Sequence, residues 1–433
     1  VGPGEVAAIL FGTFAVLILL RIPVAFALGI ACVPVFFISS RLTPSLLFDQ
    51  MFRSYNSFIL LAVPFFLLAA NLMNSAGITQ RLVGLARALV GHLPGGLGHI
   101  NVVVSMLFAG ISGSSTADAA GIGSLLIPQM KKQGYDTSFS VAITACSSVM
   151  GVIIPPSILM VVWGGLMSVS IGGLFLAGVV PGVLIAGSMM VLVHIYATRR
   201  GYPIYQRSSL REVAVAFQGA FLALLTPLII VGGIVGGFFT PTEASVIAVL
   251  YSLTIGVFVY RSISFAALPK VLYDSARFAA ITLFCIGTAS AFGWILAFFQ
   301  IPRALVEVMA AWGTGPFTTG LICALAFLVV GLFIDAIPAI IILGTVLFPV
   351  ATAAGIHPIH FGIIGIVSLA FGLVTPPYGL CLLIASSIGG IPMRKALFDV
   401  CMILIPMLGV LLFIIAFPDV IMALPRWIMP KFL

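Results

Sequence analysis

Long apolar stretches constrain this chain more than any other feature. Residues 57–76, 171–198, 213–238 and 396–418 each approach the roughly 20 residues that a helix needs to cross a bilayer. They follow one another with short polar breaks, so the chain is expected to span a membrane several times. Charge supports this: only 7% of the 433 residues are Asp, Glu, Lys or Arg, against about 25% in a soluble globule, whose surface must face water. The longest polar stretches, near 199–211 and 261–277, are too short for a soluble domain. The opening VGPGEV has no basic residue ahead of the first apolar run, so no signal peptide is expected.

The formal net charge of +8 does not imply a nucleic-acid partner, because the basic residues sit at the ends of apolar segments, as the positive-inside rule requires. Cys32, Cys146, Cys285, Cys323, Cys381 and Cys401 are scattered through apolar segments without a CxxC pair. They read as small packing residues, not as a disulfide frame or a metal site. His194, His357 and His360 fall at span ends without metal-ligand spacing and read as polar anchors. No HExxH, no Gly-x-Ser-x-Gly and no facing pair of aspartates argues for an intramembrane enzyme.

The chain repeats itself. An offset of 221 residues aligns Gly110 with Gly331, Gly123 with Gly344, Pro128 with Pro349, Gly134 with Gly355, Ser147 with Ser368 and Gly151 with Gly372. The same offset superimposes Pro155-Pro156 on Pro376-Pro377. Positions 110–159 hold eleven identities, seven of them Gly or Pro, and both Pro-Pro pairs follow a matching proline by the same interval. More loosely, LRIPVAF at 20–26 matches FTPTEAS at 239–245. Each half then reads as two spans (5–20 and 22–39; 213–238 and 240–260), an amphipathic connector (42–54; 263–275) and one more span (57–76; 277–300). A second connector follows (79–91; 302–313), then an interrupted apolar pair (97–130; 316–352), a Pro-Pro-broken span (137–169; 357–390) and a closing span (172–198; 395–418).

Charge orients the halves. The first interrupted pair ends in Lys131-Lys132, whereas its partner ends near 352–355 without Lys or Arg. Tracing both halves with 131–132 in the cytoplasm puts fourteen basic residues inside: Arg21, Arg81, Arg87, Lys131, Lys132, Arg199, Arg200, Arg207, Arg211, Arg261, Lys270, Arg277, Arg394 and Lys395. Arg41, Arg53, Arg303, Arg426 and Lys431 fall outside. That imbalance points to an inverted-topology repeat. The expected fold is an all-α polytopic membrane protein of ten spans and two re-entrant hairpins, with both termini periplasmic. Residues 1–198 form the first repeat, 199–212 a cytoplasmic linker and 213–433 the second.

Two constellations carry chemistry. Residues 97–130 are too long for one span and break at Gly110-Ile-Ser112-Gly-Ser114-Ser115-Thr116-Ala-Asp118, a stretch unsuited to face hydrocarbon. Non-helical backbone at membrane depth persists only inside protein or beside a water-filled cavity. The arms are therefore expected at 97–111 and 118–130 with a tip at 112–117, and 316–352 is expected to form a second hairpin with its tip at 333–338. Each is followed by a Pro-Pro pair, Gly151-Val-Ile-Ile154-Pro155-Pro156-Ser157 and Gly372-Leu-Val-Thr375-Pro376-Pro377-Tyr378. Proline removes an amide donor and clashes with the carbonyl one turn back. A pair of prolines either kinks a buried helix or unwinds it, leaving carbonyls near 151, 154, 372 and 375 as hard ligands for Na⁺. The amides freed at the half-helix starts favour an anion. Among the intramembrane acids, Asp335 is the first candidate for substrate or cation, Asp118 is either an N-cap or a functional group, and Glu243 reads as a cap after Thr-Pro-Thr.

At these residues the chain resembles a known family. GISGSSTADAAGIGSLLIP, GVIIPPS, GGFFTPTEASVIAV, GLFIDAIPAIIIL and FGLVTPPYGLCL are similar to signature segments of the large membrane (M) subunit of TRAP transporters, in the same order along the whole chain. The resemblance implies an elevator-type, Na⁺-driven importer of a small organic acid such as a C4-dicarboxylate, sialic acid or another sugar acid, in a bacterial inner membrane. It implies a small four-helix (Q) membrane subunit, separate or fused, and a soluble periplasmic binding (P) protein that delivers the acid; no cofactor is implied beyond Na⁺ as coupling ion. Carried onto this sequence, one Na⁺ site falls on Ser112, Ser114, Gly151, Ile154 and Pro156, and a second on Gly331, Gly372, Thr375 and Tyr378. Substrate falls between the tips, near Ser114, Ser157 and Asp335. An autonomous divalent-anion/Na⁺ symporter and a pore are the rival readings.

Overall fold

The structure is a computed structural model that describes residues 2–39 and 42–430. Arg41 and Lys431, both assigned above to the outer side, lie outside the described residues. Every regular element among the described residues is helical. The first half runs α1 (Pro3–Leu19), α2 (Val24–Ile38), α3 (Ser45–Tyr55), α4 (Ala62–Ser75), α5 (Ile78–Val90), α6 (Gly96–Ser112), α7 (Ser115–Lys132), α8 (Thr137–Ser148), α9 (Ile158–Met167) and α10 (Ile171–Arg200). The second half runs α11 (Leu210–Val235), α12 (Pro241–Thr254), α13 (Leu268–Phe298), α14 (Ile301–Ala311), α15 (Pro316–Gly331), α16 (Ala336–Ala353), α17 (Pro358–Gly372), α18 (Leu380–Gly389), α19 (Met393–Ala416) and α20 (Pro418–Ile428).

Six helices are long and apolar enough to cross a membrane unaided: α10, α11, α12 with its following turn to Val259, α13, α16 and α19. Other apolar helices, including α1, α2, α6, α15 and both parts of each broken segment, are 10–17 residues long. The protein is a multi-pass membrane protein. Breaks fall where glycine and proline predict them. The first hairpin turns at Gly113-Ser114, inside the expected tip but shorter than 112–117; the second turns at 332–335, slightly ahead of the expected 333–338. Glu243 is the cap its sequence suggests: its amide donates to Thr240 Oγ1 at 3.3 Å, and the Thr240 amide donates back to the carboxylate at 2.8 Å.

Two elements depart from expectation. The connector at 263–275 and the span at 277–300 are one helix, α13, of 31 residues. Their counterparts in the first half stay apart as α3 and α4. Pro64 sits in the first turn of α4, where its ring blocks any N-terminal extension, whereas α13 has no proline after Pro269. The second departure is α20, for which no element was expected. Its Pro418 suits a first helical position, and it packs on α10, α17 and α19.

The halves interlock. The far part of each broken segment packs into the other half: α9 lies against α16 and α17, and α18 lies against α7 and α8. Trp163 of α9 is fully buried, with its ring 5.9 Å from that of Phe327 and 5.6 Å from that of Phe361. These hairpins and broken helices, with α10 and α19, make one packed group. A second group joins α13 to α2, α3 and α4, and α12 to α4 and α11; it meets the first where α13 packs on α16 and α4 on α6. On one face, residues assigned above to the inside meet across the chain: Lys131 Nζ donates to the Gly389 carbonyl at 3.0 Å, and Arg200 bridges Asp136 at 2.8 Å and the buried Asp399 at 3.0 Å.

Candidate functional site

The first tip is built around a buried carboxylate. Gly113 ends α6 in the left-handed region (φ 62°), and Ser114 then caps α7, its Oγ accepting from the Ala117 amide at 3.5 Å. Asp118 is thus not the cap. It lies one turn into α7, wholly buried, where Oδ1 accepts from Ser112 Oγ and Oδ2 has no hydrogen-bond partner. The Ser114 amide also donates to Ser112 Oγ, at 3.3 Å.

The first broken helix packs on this tip. A Cβ at Gly151 would lie 2.5 Å from Asp118 Oδ2 and 2.9 Å from the Ser114 carbonyl carbon, so no larger residue fits there. Ile158 N–H donates to the Gly113 carbonyl at 3.3 Å, and Ser115 Oγ to the Val149 carbonyl at 3.4 Å. The bonds that close the break end on the carbonyls of Val149, Met150 and Val152; none ends on Gly151, Ile154 or Pro156. The Pro155-Pro156 bond is cis, as is Pro376-Pro377.

The second tip carries fewer polar side chains. Gly331 and Gly372 pack backbone to backbone; a Cβ on Gly372 would come within 2.7 Å of Gly331 Cα. The Gly372 carbonyl, expected to be unpaired, accepts from the Thr375 amide at 3.1 Å, because the chain makes one tight turn before the prolines stop it. Thr375 Oγ1 donates to the Phe371 carbonyl at 2.7 Å. Tyr378 ties the break to the tip through its amide, which donates to the Leu332 carbonyl at 3.2 Å, and leaves its ring half exposed. Asp335 is the N-cap of α16, Oδ1 accepting from the Ala336 amide at 2.8 Å.

Both tips open on one small cavity of about 50 Å3. Three helix starts line it: Ser115 and Thr116 of α7, Ile158 and Leu159 of α9, and Ala336 and Ile337 of α16. Helix starts carry partial positive charge and unsatisfied amides, so their convergence makes a place for an anion. Ser114 and Asp335 line the same cavity, as their assignment to one substrate site requires. Ser157 does not: it is buried as the N-cap of α9, donating to the Val152 carbonyl at 2.6 Å, and the next two residues face the cavity in its place. The remaining wall was not foreseen. Leu67 of α4 and Phe278 and Thr282 of α13 also line the cavity, and nothing local in their spans marks them out. Asp118, an N-cap or a functional group on sequence alone, is buried within the tip, and its spacing from Ser112 and Ser114 just inside a helix start is the sequence signal for that.

Residues 11–420 match the family described as tripartite ATP-independent periplasmic transporter, DctM component. The chain belongs to this family. Relatives of this DctM-family chain include the sialic acid TRAP transporter large permease protein of Vibrio cholerae, 38% identical over 93% of this chain and 95% of that protein. The C4-dicarboxylate TRAP transporter large permease protein of Pseudomonas aeruginosa is 38% identical over 88% and 89%. Among solved structures, the Alcanivorax borkumensis YdaH transporter aligns with a TM-score of 0.65 over 94% of this DctM-family chain and 98% of that one, at 15% identity, which establishes a shared fold. These two relatives are named as transport permeases, and the chain is a TRAP transporter large permease.

Proposed function

We propose that this permease imports a small organic acid coupled to Na⁺, by an elevator movement of the hairpin and broken-helix group past the group built on α4 and α13. The observation that carries the reading is the convergence of three helix starts on one cavity, with glycine-lined helix ends directly behind it. Helix starts favour the carboxylate and helix ends favour the cation, so each lowers the cost of bringing the other to membrane depth.

At the first tip, Ser112, Ser114 and the carbonyls of Gly151, Ile154 and Pro156 would hold Na⁺. The unpartnered oxygen of Asp118 supports a cation there, because a buried anion without a partner is costly. At the second tip, Gly331, Gly372, Thr375 and Tyr378 would hold another; Thr375 Oγ1 keeps its lone pairs for that role while its proton is held by Phe371. Ser114 and Asp335 would contact substrate. The two halves are read as inverted repeats, 1–198 and 213–433, in a bacterial inner membrane with both termini periplasmic. A periplasmic binding protein would deliver a sialic acid, a C4-dicarboxylate or another sugar acid, and a small four-helix membrane subunit would complete the permease.

Uptake of labelled acid into proteoliposomes under an imposed Na⁺ gradient tests this. Uptake is expected only with the gradient and a binding protein. Uptake indifferent to Na⁺ would reject the coupling, and uptake that persists without a binding protein would favour the autonomous symporter.

A further inference from the structure

The cavity wall supplied by α13 has no role in the reading above. Phe278 and Thr282 lie one helical turn apart, so their side chains share a face of that helix. Both residues line the cavity that the two tips share. Thr282 is 9% exposed, and its hydroxyl donates to the Phe278 carbonyl at 3.0 Å. With its proton held by the helix, the Thr282 oxygen meets a ligand as an acceptor only. The one charged side chain on the cavity, Asp335, is likewise an acceptor when ionised. Among the described residues no Lys or Arg lines the cavity.

The cavity lining therefore carries two unlike sets of groups. The helix starts of α7 and α9 suit one carboxylate, whereas that of α16 is already capped by Asp335. Thr282 and Asp335 suit hydrogen-bond donors and repel a second carboxylate. Phe278 adds an apolar ring to the lining. We infer that the permease selects an acid with one carboxylate and a hydroxyl- or amide-bearing body, and that Thr282 and Phe278 are the residues that read that body. The assignment rests on the acid-transport reading above and narrows it from acids in general to hydroxylated monocarboxylates.

α13 packs along α2, α3 and α4 of the second group and also against α16 of the second hairpin. An acid held between Thr282 and the tips spans both groups. It has to leave Thr282 before the hairpin group moves, so the contact sets which acid is accepted without taking part in Na⁺ binding.

The test is Na⁺-driven uptake by the complete permease in proteoliposomes, with N-acetylneuraminate and succinate as probes, each supplied with a binding protein that carries it. Wild type is expected to take up N-acetylneuraminate well and succinate poorly. Thr282→Val is expected to lower kcat/KM for N-acetylneuraminate about tenfold, as loss of a hydrogen bond in a closed site predicts. The half-saturating Na⁺ concentration should not move, and Thr282→Ser should restore uptake, which a packing defect would not show. Phe278→Ala is expected to raise KM for N-acetylneuraminate. Wild-type uptake of succinate but not N-acetylneuraminate would overturn the inference, as would wild-type kinetics in both Thr282→Val and Phe278→Ala. If neither acid enters with a Na⁺ gradient, the transport reading itself fails and this assignment fails with it.

Discussion

The two hairpin tips occupy matching places in the sequence repeat yet solve different problems. In the first, the carboxylate of Asp118 is drawn inside the hairpin, bonded to Ser112 and pressed against Gly151. In the second, the carboxylate of Asp335 stands at the turn itself, caps α16 and faces the shared cavity. Where the first tip carries hydroxyls at Ser112, Ser114, Ser115 and Thr116, the second carries Phe333, Ile334, Ala336 and Ile337. One carboxylate is thus closed inside its hairpin and the other opens on the shared cavity, the contrast on which the proposed division of cation and substrate rests. Matching places in a sequence repeat do not imply equal chemistry.

Glycine contacts offer the severest way to break the comparison. Gly372→Ala would drive a methyl into the backbone of Gly331, and Gly151→Ala would drive one into Asp118 and Ser114. Both substitutions are expected to abolish uptake and to destabilise the fold by about 1–3 kcal/mol, the usual cost of overpacking. Thermal unfolding in detergent measures the second effect, and a wild-type Tm with full uptake would show that the tips do not need this close approach. Trp163→Ala, which removes the ring that locks α9 between α16 and α17, should cost about 3–5 kcal/mol in the same assay while leaving both tips chemically intact. Smaller still are the hydroxyl deletions. Ser112→Ala and Thr375→Ala are each expected to raise the half-saturating Na⁺ concentration several-fold, as about 1 kcal/mol predicts. An unchanged Na⁺ dependence in both removes these residues from cation binding.

How much of this was legible in sequence follows from where the constraint is local. Proline and glycine act on the backbone within a turn, so Pro155-Pro156, Pro376-Pro377, Gly113 and Gly372 announce the breaks without tertiary information. Capping is equally local, which is why Glu243 was read correctly. The continuous α13 was missed because its boundary depended on an absent signal, the lack of a proline equivalent to Pro64. Thr282 and Phe278 carry no sequence signature because one threonine and one phenylalanine in an apolar span mean nothing until the fold brings α13 to the cavity the tips share. Ser157 was misjudged for the opposite reason: it follows a break, but the same position that frees an amide also invites the serine to cap it, and capping prevails. Asp118 fell between the two readings, since a carboxylate near a helix start is usually a cap, and only the burial of its second oxygen sets it apart.

The division of labour between the tips is tested most directly by measuring Asp118→Asn and Asp335→Asn side by side, in the same vesicles, for half-saturating Na⁺ and for KM of the transported acid. Asn keeps the shape of each side chain and removes its charge. Asp118→Asn is expected to raise half-saturating Na⁺ about tenfold or more with little change in KM for the acid, because it withdraws a buried anion from the cation's surroundings. Asp335→Asn is expected to change KM for the acid with little change in Na⁺ dependence. Identical shifts in both quantities for both variants, or wild-type values for Asp118→Asn, would contradict the assignment of cation and substrate to different tips.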